Sequence, residues 1–136
     1  MQLSCIYSQN MQLKNTPARA AISNFLINSK EPVDALQIIN FLHSKKLNTN
    51  KVTVYRNLDV LYKNGLLDRF EFGEGKFRYE FKKNHHHHLV CNKCGRVEDV
   101  AGEYLTDLES KIRRQNGFLI KSHSLEFYGL CRRCQK

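Results

Sequence analysis

The chain has 136 residues, of which 41% are hydrophobic and 26% are charged, so we expect one ordinary folded domain or two small ones. Lys and Arg number 22 against 13 acidic residues, and the net charge of +9 favours a polyanionic partner such as DNA or RNA. The sequence contains neither a signal peptide nor an apolar run of about 18 residues, which predicts a cytoplasmic protein with no membrane partner.

Three helices are predicted in the first half of the chain. Thr16 and Pro17 are typical of a helix start, and Asp34 is a suitable cap for a second helix. The apolar stripe of this second helix is predicted to consist of Leu36, Ile39 and Leu42. The third helix, KVTVYRNLDVLYKNG, has one apolar face. Its other face carries Lys51, Thr53, Tyr55, Arg56 and Lys63. These side chains are suited to binding phosphates and base edges, and the alternative is an ordinary solvated face.

The segment LLDRFEFGEGKFRYEF alternates apolar and charged residues around GEG, which predicts a β-hairpin over residues 66–72 and 76–81. Three helices and a hairpin predict a winged-helix DNA-binding domain over residues 1–82, within a chain of the α+β class. The polar stretch 82–88 is a candidate hinge.

Residues 83–136 are predicted to form a small α/β domain. Two strands, HLVC and RVEDV, flank a cysteine turn. They are followed by a helix in EYLTDLESKIRRQNG and a long alternating strand in FLIKSHSLEFYGLC. A unit of about 50 residues buries little apolar surface by itself, so we expect it to dimerise.

Four of the five cysteines form two C-x-x-C pairs, Cys91 with Cys94 and Cys131 with Cys134. Reduced cytosolic thiols at this spacing favour a structural zinc site with four thiolates, and the alternative is a pair of redox-active thiols. The helix and strand between the two pairs must then be looped out. We interpret Cys5 as a bystander.

Four consecutive histidines lie in the interior stretch NHHHHLVCNKCG, which argues against a purification tag. On a strand, His86 and His88 would face one way and His85 and His87 the other, so one run can supply two metal sites. Glu80 and Asp99 are available to complete a site, and the alternative is a solvated polar run. Zinc, iron, manganese and nickel all suit a mixed nitrogen and oxygen site.

Together these motifs resemble the ferric uptake regulator family of metal-responsive repressors. The resemblance covers nearly the whole chain through the stretches LKNTPAR, VTVYRNLDVLYKNGLL, FRYEF, HHHHLVCNKCGRVEDV, SHSLEFYG and CRRC. It implies a homodimer that binds a pseudo-palindromic double-stranded DNA operator, with structural Zn²⁺ at the four cysteines.

The resemblance also implies a regulatory site for a second divalent metal, Fe²⁺, Zn²⁺ or Mn²⁺, with the ligands Glu80, His86, His88 and Asp99. Pro32 stands where the family usually has a further histidine, so four ligands remain. Four ligands suit tetrahedral zinc, whereas five- or six-coordinate iron or manganese would need a water or another residue.

A third metal site is implied for some family members, and its matching residues here are His85, His87 and His123. Thr106 replaces the usual glutamate, and Asp107 or Glu103 is a candidate substitute. His43 has no matching role and is interpreted as a solvated residue.

The resemblance implies that five residues contact DNA, namely Lys14, Arg19, Thr53, Tyr55 and Arg56. Tyr55 and Arg56 lie on the recognition helix, and the alternative for these two is packing within the domain. The leading hypothesis is a metal-dependent repressor that controls iron or zinc uptake. Its alternatives are a peroxide-sensing repressor of the same family and a zinc-stabilised DNA-binding module without a sensing role.

A metalloenzyme is the alternative from another class. Glu98 or Glu103 could nominally serve as a general base. The chain lacks a Gly-rich phosphate loop and a Ser, His, Asp set, so we expect neither an enzyme nor a small-molecule substrate.

Overall fold

The computed structural model describes residues 13–14, 16–101 and 106–136. Cys5, Glu103 and the start of the predicted fourth helix lie outside these residues. No helix in the described part of the chain is long and apolar enough to cross a membrane. The elements in chain order are α1 (Pro17–Asn28), β1 (Val33–Asp34), α2 (Ala35–Ser44), α3 (Lys51–Lys63), β2 (Leu67–Glu71), β3 (Phe77–Phe81), β4 (His86–Cys91), β5 (Val97–Ala101), α4 (Thr106–Asn116) and β6 (Glu126–Gly129).

The first three helices begin at side chains that accept backbone hydrogen bonds. Thr16 accepts from the N–H of Arg19, and Asn50 caps α3 in the same way. Asp34 forms a reciprocal capping box with Gln37 at the start of α2. The caps predicted at Thr16 and Asp34 are therefore confirmed.

The largest core lies between α1, α2 and α3, and α2 contributes Ala35, Ile38 and Leu42 to it. The predicted stripe on this helix was partly wrong, because Leu36 is 63% exposed. Two residues correspond to about 200° around an α-helix, so Leu36 and Ile38 cannot share a face. The buried face follows Ile38 because it, and not Leu36, faces α1 and α3.

The predicted hairpin is present, and β3 lies between β1 and β2 in a three-stranded antiparallel sheet. Gly73 and Gly75 adopt positive φ in its turn, a conformation that favours glycine. Phe72, just beyond β2, does not belong to the first core and packs instead with Val90 and Val97. The hairpin is thus in direct contact with the second sheet.

The second sheet has the strand order β5-β4-β6, with β5 antiparallel and β6 parallel to β4. The long strand predicted in residues 118–131 is wrong in its extent, since β6 covers only Glu126–Gly129. A strand requires a neighbour to receive its backbone hydrogen bonds, and β4 provides one only for these four residues. The preceding segment is open to solvent, with Phe118 71% exposed.

Candidate metal centres

The four cysteines meet at one end of the second sheet. Cys91 ends β4 and pairs in register with Gly129 of β6, which places the C-x-x-C turn after each strand beside the other. The Sγ atoms of Cys91, Cys94, Cys131 and Cys134 all lie within 4.8 Å of one another. The pairing of β6 with β4 therefore brings together two cysteine pairs that are separated in the sequence by the looped-out helix and β6.

Backbone groups already favour negative charge at this cysteine cluster. The N–H of Cys131 donates to Cys91 Sγ over 3.3 Å, and this bond, with another from Cys94, lowers the pKa of Cys91 to about 6. The neighbouring thiol of Cys131 instead raises the pKa of Cys134 to about 12. Four crowded thiols ionise together only beside a cation, and four sulfur donors suit tetrahedral zinc.

A second cluster combines donors from the hairpin and the second sheet. One donor atom from each of Glu80, His86, His88 and Asp99 lies within 4.8 Å of the others. The two histidines share one face of β4, and the antiparallel register sets Asp99 opposite His88. Glu80 comes from β3, and its Oε1 lies 2.6 Å from His86 Nε2 and 3.3 Å from His88 Nε2. We call this set the mixed cluster.

His88 indicates that the mixed cluster fits a metal ion. The residue is only 1% exposed. Its Nε2 is the one buried side-chain nitrogen or oxygen in the described part of the chain that makes no hydrogen bond of good geometry, although Glu80 Oε1 lies 3.3 Å away. Such a group costs about 1–3 kcal/mol, and a metal ion would satisfy it. Two imidazoles and two carboxylates suit a divalent cation.

Lys83, which the sequence analysis did not single out, lies at the mixed cluster. Its ammonium group forms an ion pair with Asp99 Oδ2 and lies 3.6 Å from Glu80 Oε2. Burial by itself would raise the pKa of Glu80, but the approach of His88 and the charge of Lys83 outweigh it and lower that pKa. Glu80 is consequently an ionised acceptor.

A third cluster lies on the other face of β4. His85 Nε2 and His87 Nε2 are 2.9 Å and 3.3 Å from His123 Nε2. Burial and the neighbouring charges of His85 and His123 lower the pKa of His87, which favours the neutral imidazole that metals bind. One histidine run therefore supplies two clusters, as strand alternation predicts.

The carboxylate beside this third cluster is Glu109, whose Oε1 contacts His123 Nδ1. Of the two predicted substitutes, Asp107 does not take this place, and Glu103 lies outside the described residues. Thr106 and Glu109 are three positions apart and share a helix face, so helical spacing was the signal that sequence reasoning missed.

The candidate DNA-contacting residues form one surface at α1 and α3. Arg19, Thr53 and Arg56 line a common groove, and Tyr55 is 45% exposed beside it. Arg19 Nη1 donates to the backbone oxygen of Lys14 over 2.6 Å, and Arg19 Nε donates to Asn57 Oδ1 over 2.9 Å. These bonds join the start of α1 to α3. His43 is exposed on α2 and does not line this groove.

The loop before β1 contributes no donor to the mixed cluster. Pro32 is buried there, and Glu31 Oε2 accepts a hydrogen bond from the N–H of Val97 over 3.1 Å. This bond joins the loop to β5 without a metal ligand, and the cluster keeps four protein donors.

The model of the ferric uptake regulator family matches residues 10–128, and the chain belongs to this family. The chain is 36% identical over 126 residues to the ferric uptake regulation protein of Bacillus subtilis, covering 89% of this chain and 85% of that protein. It is 35% identical over 121 residues to the peroxide operon regulator of the same organism, covering 89% of this chain and 83% of that protein. Membership supports metal-dependent transcriptional regulation and leaves the branch open.

The fold is that of solved structures of the family. The Helicobacter pylori ferric uptake regulator, described as having three functional metal binding sites, superimposes with a TM-score of 0.88 at 24% identity. The match covers 100% of this chain and 95% of that one. Similar solved structures include ones with zinc, iron or manganese.

Proposed function

We propose that the protein is a metal-dependent DNA-binding repressor whose regulatory ion is held by Glu80, His86, His88 and Asp99. The observation that carries this proposal is the buried Nε2 of His88, which makes no hydrogen bond of good geometry within a cluster that spans the hairpin and the second sheet. An ion there would join the hairpin, through Glu80, to the second sheet, through His86, His88 and Asp99. The controlled process is proposed to be iron or zinc uptake.

The division of labour follows the elements. Residues 1–82 are proposed to form a winged-helix DNA-binding domain, in which α3 enters the major groove and the hairpin is the wing. Exposed Tyr55 and Arg56 on α3, with Arg19 and Lys14 nearby, support this assignment. Residues 83–136 are proposed to bind metal and to dimerise.

The chain's own contacts suggest how the mixed cluster controls the hairpin. Glu80 lies on β3, and His88 contacts both Phe70 and Phe72 of the hairpin region, with ring centroids 4.4 Å and 5.4 Å away. A bound divalent cation would supply the positive charge that holds two carboxylates and two imidazoles together. The hairpin and the second sheet then keep one relative orientation, and only tighter metal binding in that orientation shifts the population.

The cysteine cluster is proposed to hold Zn²⁺ as a structural ion, since four thiolates leave no open coordination position. The mixed cluster is proposed to take Fe²⁺, Zn²⁺ or Mn²⁺. The third cluster, His85, His87 and His123, is proposed as a further metal site with Glu109 beside it.

A homodimer is proposed through the second domain. Apolar side chains that are open to solvent in a single copy lie on α4, after it and on β6, namely Leu108, Ile112, Phe118, Leu119 and Phe127. A second copy that covered them would set the two α3 helices on a pseudo-palindromic operator.

The proposal is tested by DNA binding after removal of the regulatory ion. Duplexes would first be selected from a random pool with metal-loaded protein. Chelator-treated protein with its cysteine zinc retained would then be titrated anaerobically with Fe²⁺, Mn²⁺, Ni²⁺ and Zn²⁺. One ion should restore DNA binding by the wild type and by the control variant His43→Ala, but not by His88→Ala. Binding that never depends on added metal would reject sensing and leave a zinc-stabilised DNA-binding module.

A peroxide-sensing repressor is the second candidate, because the identity to the peroxide operon regulator, 35%, is nearly the same as the 36% to the ferric uptake regulation protein. Hydrogen peroxide should then abolish DNA binding by the iron-loaded protein within minutes and spare the manganese-loaded protein. Equal survival of both complexes would exclude this candidate.

A further inference from the structure

Lys83 binds the two carboxylates of the mixed cluster on their outer side. The inner oxygens face the histidines, since Glu80 Oε1 lies 2.6 Å from His86 Nε2 and Asp99 Oδ1 lies 3.8 Å from His88 Nε2. The other oxygen of each carboxylate, Glu80 Oε2 and Asp99 Oδ2, faces the Lys83 ammonium. One side chain thus occupies the second oxygen of both acids.

A carboxylate can donate one oxygen or two to a metal ion, and this choice sets the coordination number. With its outer oxygen paired to Lys83, each acid has one oxygen left for the cluster. Two such oxygens and two imidazole nitrogens make four donors, which is the number that zinc prefers, while manganese and ferrous iron accept more oxygen donors.

We infer that Lys83 is a specificity-determining residue that restricts Glu80 and Asp99 to one donor oxygen each and so keeps the regulatory site four-coordinate. This inference rests on the proposed function, because it concerns the same metal site. Lys83 acts through the two acids and is a positioning residue. Its side chain is 43% exposed, so the two ion pairs together are expected to change the ratio of metal affinities by no more than about tenfold.

The test compares Lys83→Met with Lys82→Met, which removes the same charge one residue earlier, at an exposed position. Loss of a positive charge strengthens the attraction for every divalent ion, so the ratio of the Zn²⁺ and Mn²⁺ affinities isolates the coordination effect. We expect Lys83→Met to lower the preference for Zn²⁺ over Mn²⁺ by about tenfold and Lys82→Met to leave it unchanged. Lys83→Arg should retain the wild-type preference for Zn²⁺, since a guanidinium group also pairs with carboxylate oxygens.

Co²⁺ bound at the mixed cluster, with zinc retained at the cysteines, supplies an independent readout. The wild type should show the intense visible absorption of a tetrahedral ion, and Lys83→Met the weak absorption of a higher-coordinate one. A weak wild-type spectrum, or a Lys83→Met protein that matches Lys82→Met in spectrum and ion preference, would overturn the inference while metal sensing stands. If the wild type binds no ion that His88→Ala loses, both the inference and the proposed function fail.

Discussion

Phe70 packs edge-on against His88, with ring centroids 4.4 Å apart and an interplanar angle of 68°. The first side chain belongs to β2 of the hairpin and the second to β4 of the second sheet. This contact joins the proposed DNA-binding part of the chain to the side chain that best fits a metal ligand.

Phe70→Leu should therefore weaken the metal response without unfolding the protein. Leucine keeps an apolar side chain but loses the edge-to-face contact, which is worth about 0.5–1.5 kcal/mol. We expect metal affinity at the mixed cluster to fall by up to about tenfold, measured by competition with a chelating dye. Phe77→Leu is the control, because Phe77 lies in the same hairpin beside Tyr79 and away from the histidines. Equal losses in both variants would contradict a specific role for Phe70.

Cys94→Ser should remove the structural zinc. Three thiolates bind zinc less tightly than four, and ion binding contributes directly to folding. We expect the loss of about one equivalent of tightly bound zinc and a drop in the thermal midpoint of about 10 °C or more. Cys5→Ser should change neither quantity. If the thiols are instead redox-active, the thermal midpoint of the Cys94→Ser protein in the presence of a chelator will equal that of the wild type.

Glu109→Gln should weaken the third cluster and leave the mixed cluster intact. The substitution removes the charge that contacts His123 Nδ1, and the neutral amide supports a cationic ligand set poorly. The expected result is a loss of one weak metal equivalent in calorimetric titration, with an unchanged metal response in DNA binding. Asp107→Asn, at an exposed position of the same helix, should retain that equivalent. The reverse outcome would assign the site to Asp107.

Asp34 should make a pH-dependent contribution to stability. Burial by itself raises the pKa of Asp34, but the hydrogen bonds from Lys76 and from the N–H of Gln37 outweigh it and lower that pKa below 3.8. The folded protein then binds this proton less tightly than the unfolded chain does. The contribution is present above about pH 4 and is lost as the pH falls through the folded-state pKa.

Asp34→Asn keeps a capping side chain and removes the charge, so it isolates this contribution. Because Lys76 is half-exposed, we expect the free energy of unfolding to fall by only about 0.5 kcal/mol at pH 7. The difference from the wild type, measured by urea denaturation, should shrink as the pH falls below about 4. Taking this difference cancels the effect of acid on the cysteine zinc. A difference that stays constant with pH would show that the Asp34 charge does not matter.

Arg56→Ala should lower operator affinity by about 10- to 100-fold. Base reading by Arg56 predicts that affinity for unrelated DNA stays the same, whereas phosphate binding predicts that both affinities fall together. Fluorescence anisotropy on the two DNAs at several salt concentrations distinguishes these cases. Lys111→Ala, exposed on α4, is the charge-matched control. Unchanged affinity for both DNAs would remove Arg56 from the interface.

Predictions from sequence succeeded where the signal is local. The caps at Thr16 and Asp34 depend on hydrogen bonds to residues three positions on, and the opposite orientation of alternate histidines depends on strand geometry alone. The Leu36 stripe failed because several apolar spacings fit one helix, and only packing against α1 and α3 chose among them. The strand before Glu126 was overestimated because alternation cannot supply a pairing partner.

The sequence by itself determined the family, the two cysteine pairs and a histidine run able to supply two clusters, since these are written in short motifs and fixed spacings. Only the tertiary structure decided that Glu109 contacts His123, that Lys83 occupies the outer oxygens of Glu80 and Asp99, and that Phe70 packs on His88. These contacts depend on strand register and on the packing of the hairpin against the second sheet. Such long-range geometry arises from the burial of many side chains together, and no local pattern of residues encodes it.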